Sequence, residues 1–264
     1  MRFENQIALV VGSACGMGRE TVKKMVAEGA TVIAYDVRDD MLETLGEELK
    51  GAVGSYVPFV ADANDAAKRT ECINMIKDKY GRLDILAYVA GAYDFLAPAM
   101  ETDDALWDYV MDVNINSPFR FSREALPLMI NHEGRSASII MVSSVGGYHG
   151  SIAGPAYVAS KHAIVGLIRN LAYTYRPNNV RANLVVPGTH ATSITENAMM
   201  IWPDRDPINE TGMELYALKG ATSINEISAL DPVGPANAIC YLASEDAFSV
   251  SGAELKVDGG WTSF

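Results

Sequence analysis

Short apolar runs alternate with segments of helical period along the whole 264-residue chain. Ile7–Val11, Thr31–Tyr35, Tyr56–Val60, Ile85–Val89, Ser138–Val142, Val180–Val186 and Glu254–Val257 read as strands. The run Ile139-Ile140-Met141-Val142 is continuous and short enough to be a strand buried on both faces. Between them, stretches near 18–28, 39–50, 64–80, 103–130, 156–176 and 235–244 read as helices. In the first of these, Val22, Met25, Val26 and Gly29 fall at i, i+3, i+4 and i+7, the spacing of one helix face. Strand–helix alternation of this kind predicts an α/β parallel sheet covered by helices on both sides. No internal repeat, low-complexity tract or linker interrupts it, so residues 1–264 read as a single domain. Residues 189–230 break the pattern. They are irregular, carry Pro203 and Pro207, and are rich in methionine and aromatics (Met199, Met200, Trp202, Met213, Tyr216). A stretch that long without strong periodicity predicts a functional loop, here a lid over a site.

Composition narrows the class. With 49% apolar and 20% charged residues the chain has the material for a sizeable core. A net charge of −12 argues against a nucleic-acid or anionic-membrane surface, which needs clustered Lys and Arg. Cys15, Cys72 and Cys240 show neither metal-ligand spacing nor an even disulfide framework, which suits a reducing compartment. None of the four histidines has a partner at metal-ligand spacing, so no catalytic metal is expected. The N-terminus enters a strand without a signal peptide's apolar core, and no apolar run approaches the ~20 residues that span a bilayer. The expectation is a soluble, cytoplasmic protein with a small-molecule partner.

Two stretches carry candidate chemistry. The first runs from Ser144 to Lys161 behind the predicted strand Ser138–Val142, and Pro155 in it is suited to the first turn of a helix. Tyr157 and Lys161, four apart on that helix, share one face. An ammonium beside a phenol favours the phenolate and is expected to lower a pKa that is about 10 in model peptides. Tyr157 is therefore a candidate proton donor and acceptor, and Ser144 is placed to hydrogen-bond the same reacting oxygen. The second stretch is Gly12-Ser-Ala-Cys-Gly16-Met-Gly18, between the first strand and the first helix. Glycines there let the backbone approach a pyrophosphate whose charge sits at the helix N-terminus. The next strand ends at Asp36, near the ~20-residue interval expected for an acidic residue on an adenosine ribose. A carboxylate there accepts from the 2′-OH and repels a 2′-phosphate, favouring NAD over NADP; Arg38 is the nearby basic residue that argues the other way.

In this order and spacing, these residues resemble the short-chain dehydrogenase/reductase (SDR) family over nearly the whole chain. The G-x-x-x-G-x-G pattern at 12–18 matches that family's loop, with Met17 inside it, and Ser144 stands at the family's interval before Tyr157. The resemblance implies a Rossmann-like doubly wound parallel sheet of about seven strands. It implies that Asp62 and Ala63 hold the adenine, that Ala90 and Gly91 meet the cofactor ribose, and that Pro187, Gly188 and Thr192 position the nicotinamide carboxamide. Asn114 would complete a proton relay with Ser144, Tyr157 and Lys161, and Lys161 would also hydrogen-bond the nicotinamide ribose. The ending, Tyr241-Leu-Ala-Ser-Glu-Asp and then Val257-Asp-Gly-Gly260, is similar to the family's C-terminal signature. Two positions depart from the pattern. Val11-Gly12 replaces Thr-Gly, removing a hydroxyl that ties the loop to a neighbouring strand. Tyr88-Val89-Ala90-Gly91 replaces Asn-Asn-Ala-Gly, removing a side-chain bond that braces the sheet.

The implied reaction is reversible hydride transfer between a nicotinamide and a carbinol or carbonyl carbon. Tyr93, Phe95 and the methionines of 189–230 predict an apolar pocket for a secondary alcohol or ketone, steroid-like, terpenoid or cyclic. His149 and His190 flank it as substrate-contact candidates, whereas His132 and His162 read as helix surface, and Cys15 as a small filler. The resemblance also implies a homodimer or homotetramer. Two rival readings are a 3-ketoacyl-carrier-protein reductase and a non-catalytic NAD(H)-sensing regulator.

Overall fold

In the computed structural model, residues 1–130, 135–150, 152–217 and 230–263 are described. Seven strands form one sheet: β1 Ile7–Val11, β2 Thr31–Asp36, β3 Ser55–Val60, β4 Ile85–Tyr88, β5 Ala137–Val142, β6 Val180–Pro187 and β7 Glu254–Val257. Their order is β3-β2-β1-β4-β5-β6-β7, and every pairing is parallel. The helices are α1 Gly16–Ala27, α2 Asp39–Glu48, α3 Ala66–Tyr80, α4 Asp104–Met111, α5 Ser117–Met129, α6 Pro155–Thr174, α7 Ile194–Ile201, α8 Glu210–Ala217 and α9 Val233–Ala243.

The period of two in the strands sorts the core into two layers. Leu9, Val11, Ile33, Leu86, Ile139 and Leu184 face α3, α5 and α6, which return Ile76, Phe121 and Ile168. Ala8, Val10, Ala34, Ala87, Ile140 and Val185 face α1, α2 and α9, which return Val22, Met25, Leu45 and Ile239. The sheet is thus covered on both sides, as the apolar runs predict. Strand order reverses direction at β1, where β2 lies on one side and β4 on the other. The crevice at the carboxyl ends of β1 and β4 is where open α/β sheets bind ligands.

Two expectations change. The helix expected over 103–130 is two helices joined by a π-helical turn, Asp112–Asn116, whose extra residue no 3.6-residue period anticipates. The segment expected to be irregular over 189–230 contains α7 and α8 in its described part. Each is only eight residues long, too short to declare a period, and Pro203 and Pro207 lie between them. Residues 218–229, the side chain of Tyr216 and His132 lie outside the described residues. No helix among the described residues is long and apolar enough to cross a membrane.

Candidate functional site

A cleft of about 690 Å³ opens at the carboxyl ends of β1, β4, β5 and β6. Gly12, Gly16, Met17 and Gly18 line one end, with Asp36, Asp62 and Ala63 beyond them. Ala90, Gly91, Ser144, Tyr157 and Lys161 form the middle, and Pro187, Gly188, His190 and Thr192 the wall behind. Sequence positions spread over 180 residues converge here because all leave the same edge of the sheet.

At the first end the backbone is packed too closely for side chains. A Cβ on Gly18 would lie 1.8 Å from the Gly12 carbonyl oxygen, and one on Gly12 would lie 2.4 Å from the Ala90 nitrogen. Gly12 also has φ of +82°, a left-handed conformation that glycine tolerates. Cys15 at the N-cap of α1 makes no side-chain cap, and no acidic residue occupies the first turn, so the helix terminus is free to meet an anion. The hydroxyl lost at Val11 is replaced by backbone, since Gly12 and Ser13 both donate to the Tyr35 carbonyl at 2.9 and 3.4 Å. Tyr35 in turn donates its hydroxyl to the Asp62 carbonyl at 2.8 Å and fixes that loop. Asp36 accepts from the Ala14 and Arg38 amides at 2.9 and 3.0 Å, one bond to each oxygen, leaving lone pairs toward the cleft. The Arg38 guanidinium is held by both oxygens of Asp40 and by Asn197 of α7. Burial raises the Cys15 thiol, which keeps it a filler.

In the middle of the cleft, Lys161 is 3% exposed and donates to the Val142 carbonyl at 3.0 Å. Its ammonium stands 5.5 Å from the centre of the Tyr157 ring. Burial lowers Lys161 to about 8. Burial also raises the Tyr157 phenol, opposed by a hydrogen bond with Ser144 and reinforced by the negative charge of Asp94. This corrects the expectation of a lowered tyrosine: the i+4 lysine stands beside the ring, yet loss of solvent is the largest influence on the phenol.

Asn114 lies behind the cleft wall, in the π-turn. Its amide donates to the Ala92 carbonyl and the Ser160 hydroxyl, both at 3.0 Å, and its carbonyl accepts from the Ala92 amide at 2.8 Å. Both side-chain donors are consumed, so the residue welds β4's exit loop to α6. The bracing bond expected to be lost at Tyr88 is replaced: its hydroxyl donates to the Val113 carbonyl at 2.9 Å and anchors the same π-turn.

The other end of the cleft is apolar, walled by Tyr93, Leu96, Val145, Ile152 and Trp261 and roofed by Met200, Ile201, Ile208 and Met213. Phe95 and His149 do not reach the wall. Phe95 packs instead under the roof, edge-on to Trp202 at 6.1 Å between ring centres. His190 does line the cleft, its Nδ1 3.1 Å from the Gly188 carbonyl oxygen. His162 is exposed on α6. Among the described residues no cluster of His, Cys, Asp or Glu is arranged to hold a metal.

Sequence reasoning missed Asp94. It is fully buried on the loop after β4, and its carboxylate accepts from the Gly154 amide at 3.0 Å and the Tyr157 amide at 2.8 Å. An aspartate three residues beyond Gly91 carries no local signal of a role at a helix some 60 residues away.

The family model for short chain dehydrogenases matches residues 6–200. The chain belongs to the short-chain dehydrogenase family. It is 33% identical over 261 residues to the 3-oxoacyl-(acyl-carrier-protein) reductase FabG of Thermotoga maritima, covering 98% of this chain and 99% of that one. It is 31% identical over 264 residues to 3beta-hydroxysteroid dehydrogenase 2 of Eggerthella lenta, covering 98% and 95%. The crystal structure of levodione reductase superposes with a TM-score of 0.82 at 27% identity, covering 99% of both chains. This short-chain dehydrogenase is thus an oxidoreductase of a family that binds NAD or NADP. The collision of any Cβ at Gly12 or Gly18 with neighbouring backbone, beside an uncapped helix terminus, fits the pyrophosphate of either cofactor.

Proposed function

We propose that this short-chain dehydrogenase interconverts a secondary alcohol and a ketone on an apolar, cyclic substrate, with NAD as cofactor. One observation carries the reading: Ser144, Tyr157 and Lys161 meet in the cleft where its glycine-rich end joins its apolar end. A bound nicotinamide supplies the hydride acceptor or donor; proton transfer falls to the protein. Tyr157 holds or takes the proton of the substrate oxygen, Ser144 orients that oxygen, and Lys161 places positive charge beside the phenol. Asn114 fixes the exit loop of β4 against α6, so the relay it supports has a rigid frame.

Asp36 favours NAD, since it presents a carboxylate at the far end of the cleft while Arg38 is neutralised by Asp40. A 2′-phosphate would meet that carboxylate before any free cation. The apolar end suits a ring system, and among the described residues Arg38 and Lys161 are the only Lys or Arg side chains on the cleft wall. Among those residues, no cation stands at the substrate end for the phosphate of an acyl carrier. Residues 189–230 act as the lid, and in its described part α7 is tied to the cofactor end through Asn197 and Arg38. Exposed Phe119 on α5 and Tyr173 on α6 suit a homodimer or homotetramer formed through those helices.

The test is a cofactor-resolved panel: NAD⁺ against NADP⁺ with hydroxysteroids, monoterpene alcohols and cyclic alcohols, and acyl thioesters with NADH and NADPH. The expected result is turnover of cyclic secondary alcohols with NAD⁺ preferred. Turnover confined to acyl thioesters supports the carrier-protein reductase that the FabG likeness favours. NADH binding with no turnover supports a sensing regulator.

A further inference from the structure

Helix α6 begins without a cap of its own. Its N-cap residue, Gly154, has no side chain, and Pro155 follows at the first helical position. The amide that an N-cap side chain would ordinarily take is that of the third helical residue, here Tyr157. That amide is taken by Asp94, a residue 63 positions earlier, whose other oxygen accepts from Gly154. Gly154 is needed for this approach: a Cβ there would lie 2.6 Å from the Asp94 carboxylate and 2.4 Å from the Ala97 carbonyl oxygen. The buried charge is therefore satisfied by the positive end of α6, at the turn that presents the Tyr157 side chain to the cleft.

The chain immediately after Asp94 is strained. Ala97 donates to the Asp94 carbonyl at 2.9 Å and closes a four-residue turn. Its two central residues, Phe95 and Leu96, have φ of 58° and 59°. Turns with both central residues left-handed are ordinarily filled by Gly, Asn or Asp, not by a buried phenylalanine and leucine. The segment called the lid is seated on this turn. Asn209 donates its amide to the Phe95 carbonyl at 2.8 Å. Gly212 of α8 packs so tightly that a Cβ there would lie 1.9 Å from the Leu96 carbonyl oxygen. One strained turn thus touches the first turn of the tyrosine helix through Asp94 and the lid through Phe95 and Leu96.

We propose that Asp94 is a positioning residue for the reaction: it sets Tyr157 in the cleft by capping α6 from outside the helix, and the turn behind it makes that setting depend on the lid being seated. The inference rests on Tyr157 being the proton-transfer residue. Among the described residues, the titratable and polar groups placed against Tyr157 are Asp94 and Tyr93 on the loop after β4, Lys161 on its own helix and Ser144 at the end of β5, and His190 lines the same cleft. Of these, Asp94 is the one whose charge opposes loss of the tyrosine proton.

The experiment compares Asp94→Asn, Gly212→Ala, the double variant and Tyr157→Phe with the full-length protein. It reads kcat, KM, cofactor Kd by NADH fluorescence, and the pH profile of alcohol oxidation. Asparagine keeps the shape but turns a donor toward one of the two amides. A displacement of about 1 Å at a reacting group costs on the order of 10²-fold, so Asp94→Asn is expected to lower kcat about 10- to 100-fold, with cofactor Kd within about twofold. Its oxidation limb is expected to move to lower pH, because the charge opposing the phenolate is gone. A scaffold role alone would lower Tm and leave that limb in place. Gly212→Ala reaches the turn from the lid side; it is expected to raise substrate KM and lower kcat, and to be less than additive with Asp94→Asn. If Asp94→Asn does not fold, Gly212→Ala alone decides, and wild-type kcat in it overturns the inference. A folded Asp94→Asn with wild-type kcat and an unmoved limb overturns it too, as does full additivity. Full activity in Tyr157→Phe instead refutes the functional reading itself, which separates the two failures.

Discussion

Tyr157→Phe is expected to bind NAD(H) as the wild type does and to lose roughly 10²–10⁴ of its turnover, the usual contribution of a positioned acid/base. The ring remains to pack edge-on against Tyr93, at 6.0 Å between centres, so the fold is expected to survive. What is lost is the hydroxyl and its bond with Ser144, roughly 0.5–1.5 kcal/mol of stability. The pH dependence follows from the same environment. Burial raises the phenol, so Tyr157 carries its proton at neutral pH. Ketone reduction, which uses that proton, is expected to be flat through neutrality and to fall in alkali. Alcohol oxidation, which needs the phenolate, is expected to climb as pH rises. Lys161 loses its own proton near pH 8. In Tyr157→Phe the limb should vanish. Retained turnover with the limb intact would remove Tyr157 from the reaction.

Gly18→Ala is expected to abolish useful cofactor binding without touching any reacting group. The new Cβ would sit 1.8 Å from the Gly12 carbonyl oxygen, and the obstacle is backbone, which cannot rotate away. The loop must move, and with it the N–H groups at the start of α1. Losing two charge-assisted hydrogen bonds to a pyrophosphate, at about 1.5 kcal/mol each, raises Kd by about 10²-fold. Overpacking adds a stability cost of about 1–3 kcal/mol, or roughly 2–12 °C in Tm at about 2–4 °C per kcal/mol. Fluorescence titration with NADH and a thermal melt measure both; a variant binding NADH as tightly as wild type would move the pyrophosphate site elsewhere.

Much of this site was readable from sequence because its parts are local. The glycine loop is one contiguous stretch between a strand and a helix. Tyr157 and Lys161 share a helix face by period alone, and Ser144 stands at the end of the strand before it. The doubly wound parallel sheet of about seven strands followed from alternation and family likeness together. What stayed hidden depends on tertiary approach. Asp94 caps α6 across 60 residues, and nothing near it in the chain says so. The raised Tyr157 phenol reflects burial, which the i+4 lysine does not report. Phe95 lies between Tyr93 and Leu96 of the wall in sequence but does not line the cleft, because its left-handed backbone swings the ring under the lid; His149 does not line it either. The π-turn holding Asn114 adds one residue to a helix, and a 3.6-residue period passes over it. Tyr88 is the converse case: the sequence suggested a lost brace, and the structure supplies another through the Val113 carbonyl.

The most direct measurement follows the hydrogen itself. A cyclic secondary alcohol from the panel, carrying deuterium on its carbinol carbon, is oxidised by the protein with NAD⁺, and the NADH formed is weighed by mass spectrometry. The deuterium is expected on the nicotinamide, while the hydroxyl hydrogen passes to Tyr157 and exchanges with water. Unlabelled NADH, with the deuterium released to solvent, would contradict this expectation.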